Sequence, residues 1–184
     1  LMYKATWQVG SAGNWAVGLN VGAETNQFLS VAWPSSYNPQ EFTIVVKTNL
    51  VNSDRGVIIN CGDIRWYIEN SNTYFRVEAG GYVSFGGGWT TSQWQQHVMA
   101  VGAADSQWYI DGVLNTTATW AVTPSWGASL ILGRINNYYR LQGSIDHIAL
   151  YARKFAPEEV AWLYREPAAM IWEPGRRHVT YPSA

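Results

Sequence analysis

Apolar and polar residues alternate one for one along much of this 184-residue chain. Phe42, Ile44 and Val46 share one parity against Thr43, Val45 and Lys47. Ile64, Trp66 and Ile68 oppose Arg65, Tyr67 and Glu69. Phe75 and Val77 oppose Tyr74, Arg76 and Glu78, and Leu130 and Leu132 form a further run before Gly133. Successive side chains of a strand point to opposite faces, so this period of two predicts strands that are each buried on one side. Trp108 and Ile110 lead into Asp111-Gly112, a pair suited to a two-residue type I′ hairpin turn. The runs are short and separated by Gly, Asn, Ser and Pro. The pattern predicts an all-β chain, folded as an antiparallel two-sheet sandwich.

One segment breaks the pattern. Pro157 suits a first helical position, and Glu158 and Glu159 would meet the positive end of the helix dipole. Val160, Leu163 and Tyr164 share a stripe, and Pro167 stops the helix. The preceding run, Gly143 to Tyr151, is apolar on both parities: Ile145, Ala149 and Tyr151 on one, Ile148 and Leu150 on the other. One face is expected to meet the core. The other needs a lid, which the helix and the apolar part of the tail would supply.

The ends differ from the middle. Residues 1–26 form an N-terminal arm with a first strand near Tyr3 to Val9 and then a loop; 27–166 form the sandwich. Residues 167–184 form an extended tail, apolar at Met170, Ile171 and Trp172 and basic at Arg176 and Arg177. An exposed apolar run of this kind is a liability, so the tail is expected to dock on its own domain or on a partner.

Composition narrows the partners. Net charge is −1, which is unsuited to nucleic acid. Aromatic residues outnumber charged ones, with 11 Trp and 11 Tyr, which suits a packed core and sticky surfaces and not disorder. Cys61 is the single cysteine, so no intrachain disulfide forms. Small animal secreted modules often carry disulfides, so the source is expected to be bacterial or viral. Cys61 alternates with Val57 and Ile59 and reads as a small buried hydrophobe. No apolar run has the length of a membrane span. The first residues, LMYKATWQ, lack the basic start and apolar run of a signal peptide.

Five pieces then fall in a familiar order: EFTIVVK at Glu41–Lys47, WQQHVMAV at Trp94–Val101, WYIDG at Trp108–Gly112, LILG at Leu130–Gly133, and the strand-plus-helix run from Gly143 to Tyr164. Together they resemble the laminin-G-like jelly rolls of the concanavalin A-like lectin and glucanase group. The resemblance implies a jelly-roll sandwich with one short C-terminal helix. It also implies a binding module, a structural role for His97, and room for calcium at a loop rim. Two positions depart from the pattern. His147 replaces the usual Glu, and Ala156 replaces the Ser that would cap the helix, at a cost of about 1 kcal/mol. The tail LYREPAAMI, Leu163 to Ile171, is similar to phage and prophage structural proteins.

Chemistry is harder to find. Glycosidases on such a sandwich need paired carboxylates across the scissile bond. No E-x-D-x-x-E run is present, and the adjacent pair Glu158 and Glu159 opens the helix. There is no nucleophile elbow, phosphate loop or Cys/His metal array. No catalytic residue, cofactor or metal is assigned.

Binding residues are easier to nominate. Asn136, Asn137, Tyr138, Tyr139 and Arg140 form a polar-aromatic loop suited to sugar hydroxyls. Trp89, Trp120 and Trp126 also sit in loop-like segments, and some are expected to be exposed. A second candidate is the outer face of a hairpin closed at Asn70 to Thr73. There Arg65 would face Glu78, Tyr67 would face Arg76 and Glu69 would face Tyr74. The tail residues Met170, Ile171, Trp172, Arg176 and Arg177 are candidates for partner docking.

The expected function is adhesion without catalysis. The partner would be a glycan or a neighbouring virion or cell-surface protein, with self-association or lattice contacts. The expected setting is a virion surface, as a head decoration, fibre or tail-associated protein. The alternatives are a secreted bacterial lectin-like domain and, behind it, a glycoside hydrolase.

Overall fold

The computed structural model describes residues 28–77, 81–119, 124–135 and 139–166, together with three short backbone strands nearer the N-terminus. The strands are β1 (Met2–Tyr3), β2 (Thr6–Val9), β3 (Trp15–Leu19), β4 (Phe28–Ala32), β5 (Phe42–Asn52), β6 (Arg55–Cys61) and β7 (Ile64–Glu69). They continue with β8 (Asn72–Val77), β9 (Gly81–Gly87), β10 (Trp94–Val101), β11 (Asp105–Ile110), β12 (Val113–Thr119), β13 (Ser129–Leu132) and β14 (Gln142–Tyr151). One helix, α1 (Pro157–Arg165), follows. The first sheet runs β1-β4-β13-β6-β7-β8-β9, and the second runs β12-β11-β10-β5-β14-β3-β2. All the strand pairs within these sheets are antiparallel. The expected sandwich is therefore the one that forms.

The alternation does what the sequence predicts. Phe42, Ile44 and Val46 of β5, Ile64, Trp66 and Ile68 of β7, and Phe75 of β8 fill one core between the sheets. Burying a large apolar side chain contributes about 1.5–3 kcal/mol, so this layer holds the sheets together. Cys61 is fully buried within the fold.

A second, smaller core lies on the outside of the second sheet. Val45, Val98, Ala100 and Tyr109 pack there against Phe155, Val160 and Leu163. This is the predicted lid, made by α1 and its lead-in; the tail that was to complete it lies outside the described residues. Thr43 ties the lead-in down: its hydroxyl donates to the Arg153 carbonyl at 2.8 Å and accepts from the Phe155 N–H at 2.9 Å. At the helix start the Ala156 methyl offers no hydrogen-bond acceptor. The Glu159 carboxylate instead accepts from the Ala156 N–H at 2.9 Å while holding Arg153 at 2.6 and 2.8 Å. The Arg153 hydrogen bonds, chiefly, hold the Glu159 carboxyl below its ordinary pKa.

Three expectations are corrected. The N-terminal segment is not one strand and a loop. β1 joins the edge of the first sheet and β2 and β3 extend the second, so the run from Tyr3 to Val9 is split between the layers. In β14 the parity breaks, because the pairing with β5 shifts between Ile145 and His147. The extra residue, Asp146, puts Ile145 in the main core with Ile148 and Leu150, while Ala149 and Tyr151 face the helix. The β7–β8 hairpin closes at a two-residue turn, Asn70-Ser71, with φ of 50° and 61°. Arg65 therefore faces Arg76, Tyr67 faces Tyr74 and Glu69 faces Asn72.

Candidate functional site

With α1 over part of the outer face of the second sheet, the outer face of the first sheet is the broad polar surface of the sandwich. Three rows of side chains cross it at right angles to the strands. The first runs Asn60, Arg65, Arg76, Tyr82 through β6, β7, β8 and β9. The second places Tyr67 beside Tyr74 and then Ser84. The third places Arg55 beside Glu69 and then Asn72. Each row is set by register, so the turn at Asn70-Ser71 decides what stands next to what.

The tyrosines form a connected ribbon. Tyr67 and Tyr74 stack at 5.2 Å and 15°. Tyr139 meets Tyr67 edge to face at 5.7 Å, and Tyr82 meets Tyr74 in the same way at 5.7 Å. Tyr82 is 65% exposed. The hydroxyl of Tyr139 donates to Glu69 Oε1 at 2.7 Å, which anchors the loop after β13 to β7. Arg55 lies over the Tyr139 ring at 6.0 Å. The hydrogen bond to Glu69 is the main cause of a raised Tyr139 pKa, and burial is the main cause for Tyr67. Both phenols therefore keep their protons at neutral pH as donors. Beside the ribbon is a cavity of about 210 Å³ lined by Arg65, Tyr67, Arg76, Ile135 and Tyr139.

Two separate sequence nominations meet here. Tyr139 came from a loop and Tyr67 and Arg76 from a sheet face, yet all three line one cavity. Arg140 does not line it; its backbone pairs with Arg134. Asn136, Asn137, Tyr138 and Trp120 lie outside the described residues, as do Met170, Ile171, Trp172, Arg176 and Arg177. Arg65, Glu69 and Tyr74 belong to the hairpin face already offered as a candidate, but in a different pairing from the one expected. Tyr82 and Arg55 were not named at all.

Trp126 belongs elsewhere. It stacks on Trp33 at 5.0 Å and 13°, and the two line a different cavity of about 190 Å³. Both indole N–H groups are committed to backbone, Trp126 to the Pro39 carbonyl at 2.9 Å and Trp33 to that of Tyr37 at 2.9 Å. Trp89, expected in a loop, is only 8% exposed. It lies on His97 at 3.6 Å, and its indole donates to the Thr73 hydroxyl. His97 is fully buried between Trp89 and Trp108, and burial lowers its pKa to about 3. His97 is neutral at physiological pH and sits inside the core, away from the tyrosine face. Among the described residues no three His, Cys, Asp or Glu side chains are grouped as metal ligands are.

A two-layer antiparallel sandwich with a polar, aromatic outer face defines a broad structural class. Residues 22–161 match the family described as the concanavalin A-like lectin/glucanases superfamily, and the chain belongs to it. None of the curated proteins matches the chain by sequence. Among solved structures, the binding domain of Paraclostridial Mosquitocidal Protein 1 is similar, with a TM-score of 0.71 and 16% identity over 91% of this chain and 47% of that one. So is a botulinum neurotoxin type C structure, whose cell entry is described as dependent on two ganglioside molecules. Its TM-score is 0.67, with 14% identity over 88% of this chain and 44% of that one. A Bacteroides ovatus protein assigned provisionally to carbohydrate binding gives 0.66, with 12% identity over 79% of this chain and 45% of its own length. The chain thus spans less than half of each of these structures, and at such identities the likeness is one of fold.

Proposed function

We propose that this chain is a binding module that holds a glycan on the outer face of its first sheet and does not cleave it. The observation that carries this reading is the convergence of Tyr67, Tyr74, Tyr82 and Tyr139 into one ribbon beside a cavity with two arginines. Phenol rings offer flat apolar faces to the C–H faces of a sugar, and their hydroxyls offer hydrogen bonds at the edges. The ganglioside dependence described for one structural neighbour and the carbohydrate assignment of another support the same reading. Glycoside hydrolysis uses a pair of carboxylates across the bond, and among the described residues the cavity is lined by arginine, tyrosine and isoleucine.

For its setting, we propose a surface, either of a virion or outside a bacterial cell. The tail pattern from Leu163 to Ile171 supports the first, and the family's lectin members support the second. On a virion the same domain would also touch neighbouring structural subunits.

A glycan array with the intact chain tests the binding reading. Tyr67→Ala is expected to weaken the best ligand by about tenfold or more, as loss of a central aromatic anchor does. Tyr164→Ala, on the exposed side of α1, is expected to leave it unchanged. Failure to bind any glycan, or equal effects of the two substitutions, would overturn the reading.

A further inference from the structure

We propose that the cavity lined by Trp33 and Trp126 is a second ligand site, shaped for a single neutral sugar ring and independent of the tyrosine face. The starting point is a column of aromatic rings that climbs out of the core. Phe42 is fully buried. Trp126 meets it edge to face at 5.0 Å, Trp33 stacks on Trp126, and Tyr37 closes on Trp33 edge to face at 5.2 Å. Core packing accounts for Phe42. It leaves three half-buried rings gathered at a cavity of about 190 Å³.

The walls of this cavity are fixed from both sides. The Trp33 N–H donates to the Ala128 carbonyl at 2.8 Å, and the Asp63 N–H donates to the Ser125 carbonyl at 3.0 Å. Gly62, at φ 60°, lies so close to Gly127 that a Cβ on it would collide with the Gly127 backbone. The indole N–H groups are already bound to the Pro39 and Tyr37 carbonyls. The rings therefore hold their places before a ligand arrives, and they offer it apolar ring surface in place of N–H donors. Such preorganisation lowers the ordering cost of binding.

The lining also selects the ligand. Among the described residues it contains no charged side chain, so a carboxylate or an amine would find no counter-charge there. Its rim carries the exposed hydroxyls of Ser35 and Ser125 and the amide of Asn38. Neutral groups that both donate and accept suit sugar hydroxyls, which do the same. Drug-sized ligands take pockets of about 300–1,000 Å³, so this one takes a single ring with its substituents. An apolar ring face edged with hydroxyls is a sugar residue. One ring gives a dissociation constant in about the millimolar range, weaker than an oligosaccharide held along the tyrosine ribbon. Two separate sugar sites on one domain gain avidity on a dense glycan surface.

The test is an NMR titration of the intact chain with the methyl glycosides of glucose, galactose, mannose and N-acetylglucosamine, with glucuronate and phenol as charged and flat aromatic controls. At least one neutral glycoside is expected to shift the indole N–H signals of Trp33 and Trp126, in the parent and equally in Tyr67→Ala. Trp126 packs on the core, so the site is disabled at its rim. Asn38→Ala combined with Ser125→Ala is expected to weaken that glycoside about tenfold, as loss of two hydrogen bonds would, and to leave the melting temperature unchanged. No indole shift with any neutral glycoside would overturn the inference, as would glucuronate or phenol shifting the indoles as strongly as the best glycoside. Undiminished binding in the rim variant would overturn it too. Shifts that vanish in Tyr67→Ala would overturn it while leaving the glycan reading of the tyrosine face intact.

Discussion

His97 shows how a single residue can set the pH behaviour of the whole fold. It is enclosed by Trp89 and Trp108, and burial holds its pKa near 3 against an ordinary value of 6.5. The unfolded chain takes up a proton there below pH 6.5, and the folded chain does not. Its contribution to stability is therefore full above pH 6.5 and is lost as pH falls toward 3, at about 1.4 kcal/mol per pH unit. His147, lowered mainly by burial, acts with the same sign. Glu159, whose pKa is depressed, loses its contribution only below the ordinary carboxylate range. Urea unfolding between pH 7 and pH 5 is therefore expected to show a falling stability that becomes shallower in His97→Phe, where the His147 part remains. An unchanged slope in that variant would show that His97 is protonated in the folded state.

At the level of single elements, turns and caps explain both what the sequence revealed and what it concealed. Asp111-Gly112 was legible because Asp-Gly is a strong type I′ signal, and both residues do take positive φ, at 51° and 80°. Asn70-Ser71 does the same work with a serine at φ 61°, where an L-residue with a Cβ is disfavoured. No local rule singles out that pair, so a longer turn was expected and the register slipped by two. Ser71→Gly is expected to raise stability by about 0.5–1 kcal/mol, measured by thermal or urea melts. A loss of stability would mean that the Ser71 hydroxyl, 3.2 Å from that of Ser53, outweighs the backbone cost. The helix offers a parallel case. Ala156→Ser restores an N-cap acceptor and is expected to add about 1 kcal/mol. No gain would show that the Glu159 carboxylate already satisfies the helix start.

For the whole molecule, the architecture was legible because alternation, hairpin signals and one helix bounded by Pro157 and Pro167 agree with one another along the chain. The bulge at Asp146 was not, since one extra residue in β14 leaves no mark in composition. The site was half legible. Tyr67, Arg76 and Tyr139 were each nominated, but Tyr139 reaches Glu69 across 70 residues of sequence, and nothing local announces that meeting. The Arg65 and Arg76 pair became visible only with the true register. If the first sheet's outer face is a holding surface, the intact chain is expected to release no reducing ends from any glycan it binds. Steady release, measured by a reducing-sugar assay, would restore the hydrolase reading.

The central claim places the ligand on the tyrosine ribbon of the first sheet. Titrating isotope-labelled protein with its best array ligand and following backbone amide shifts by NMR tests that placement directly. The account predicts the largest shifts at Tyr67, Tyr74, Arg76 and Tyr139 and their neighbours. Shifts concentrated at Trp33 and Trp126, or along α1, would contradict it.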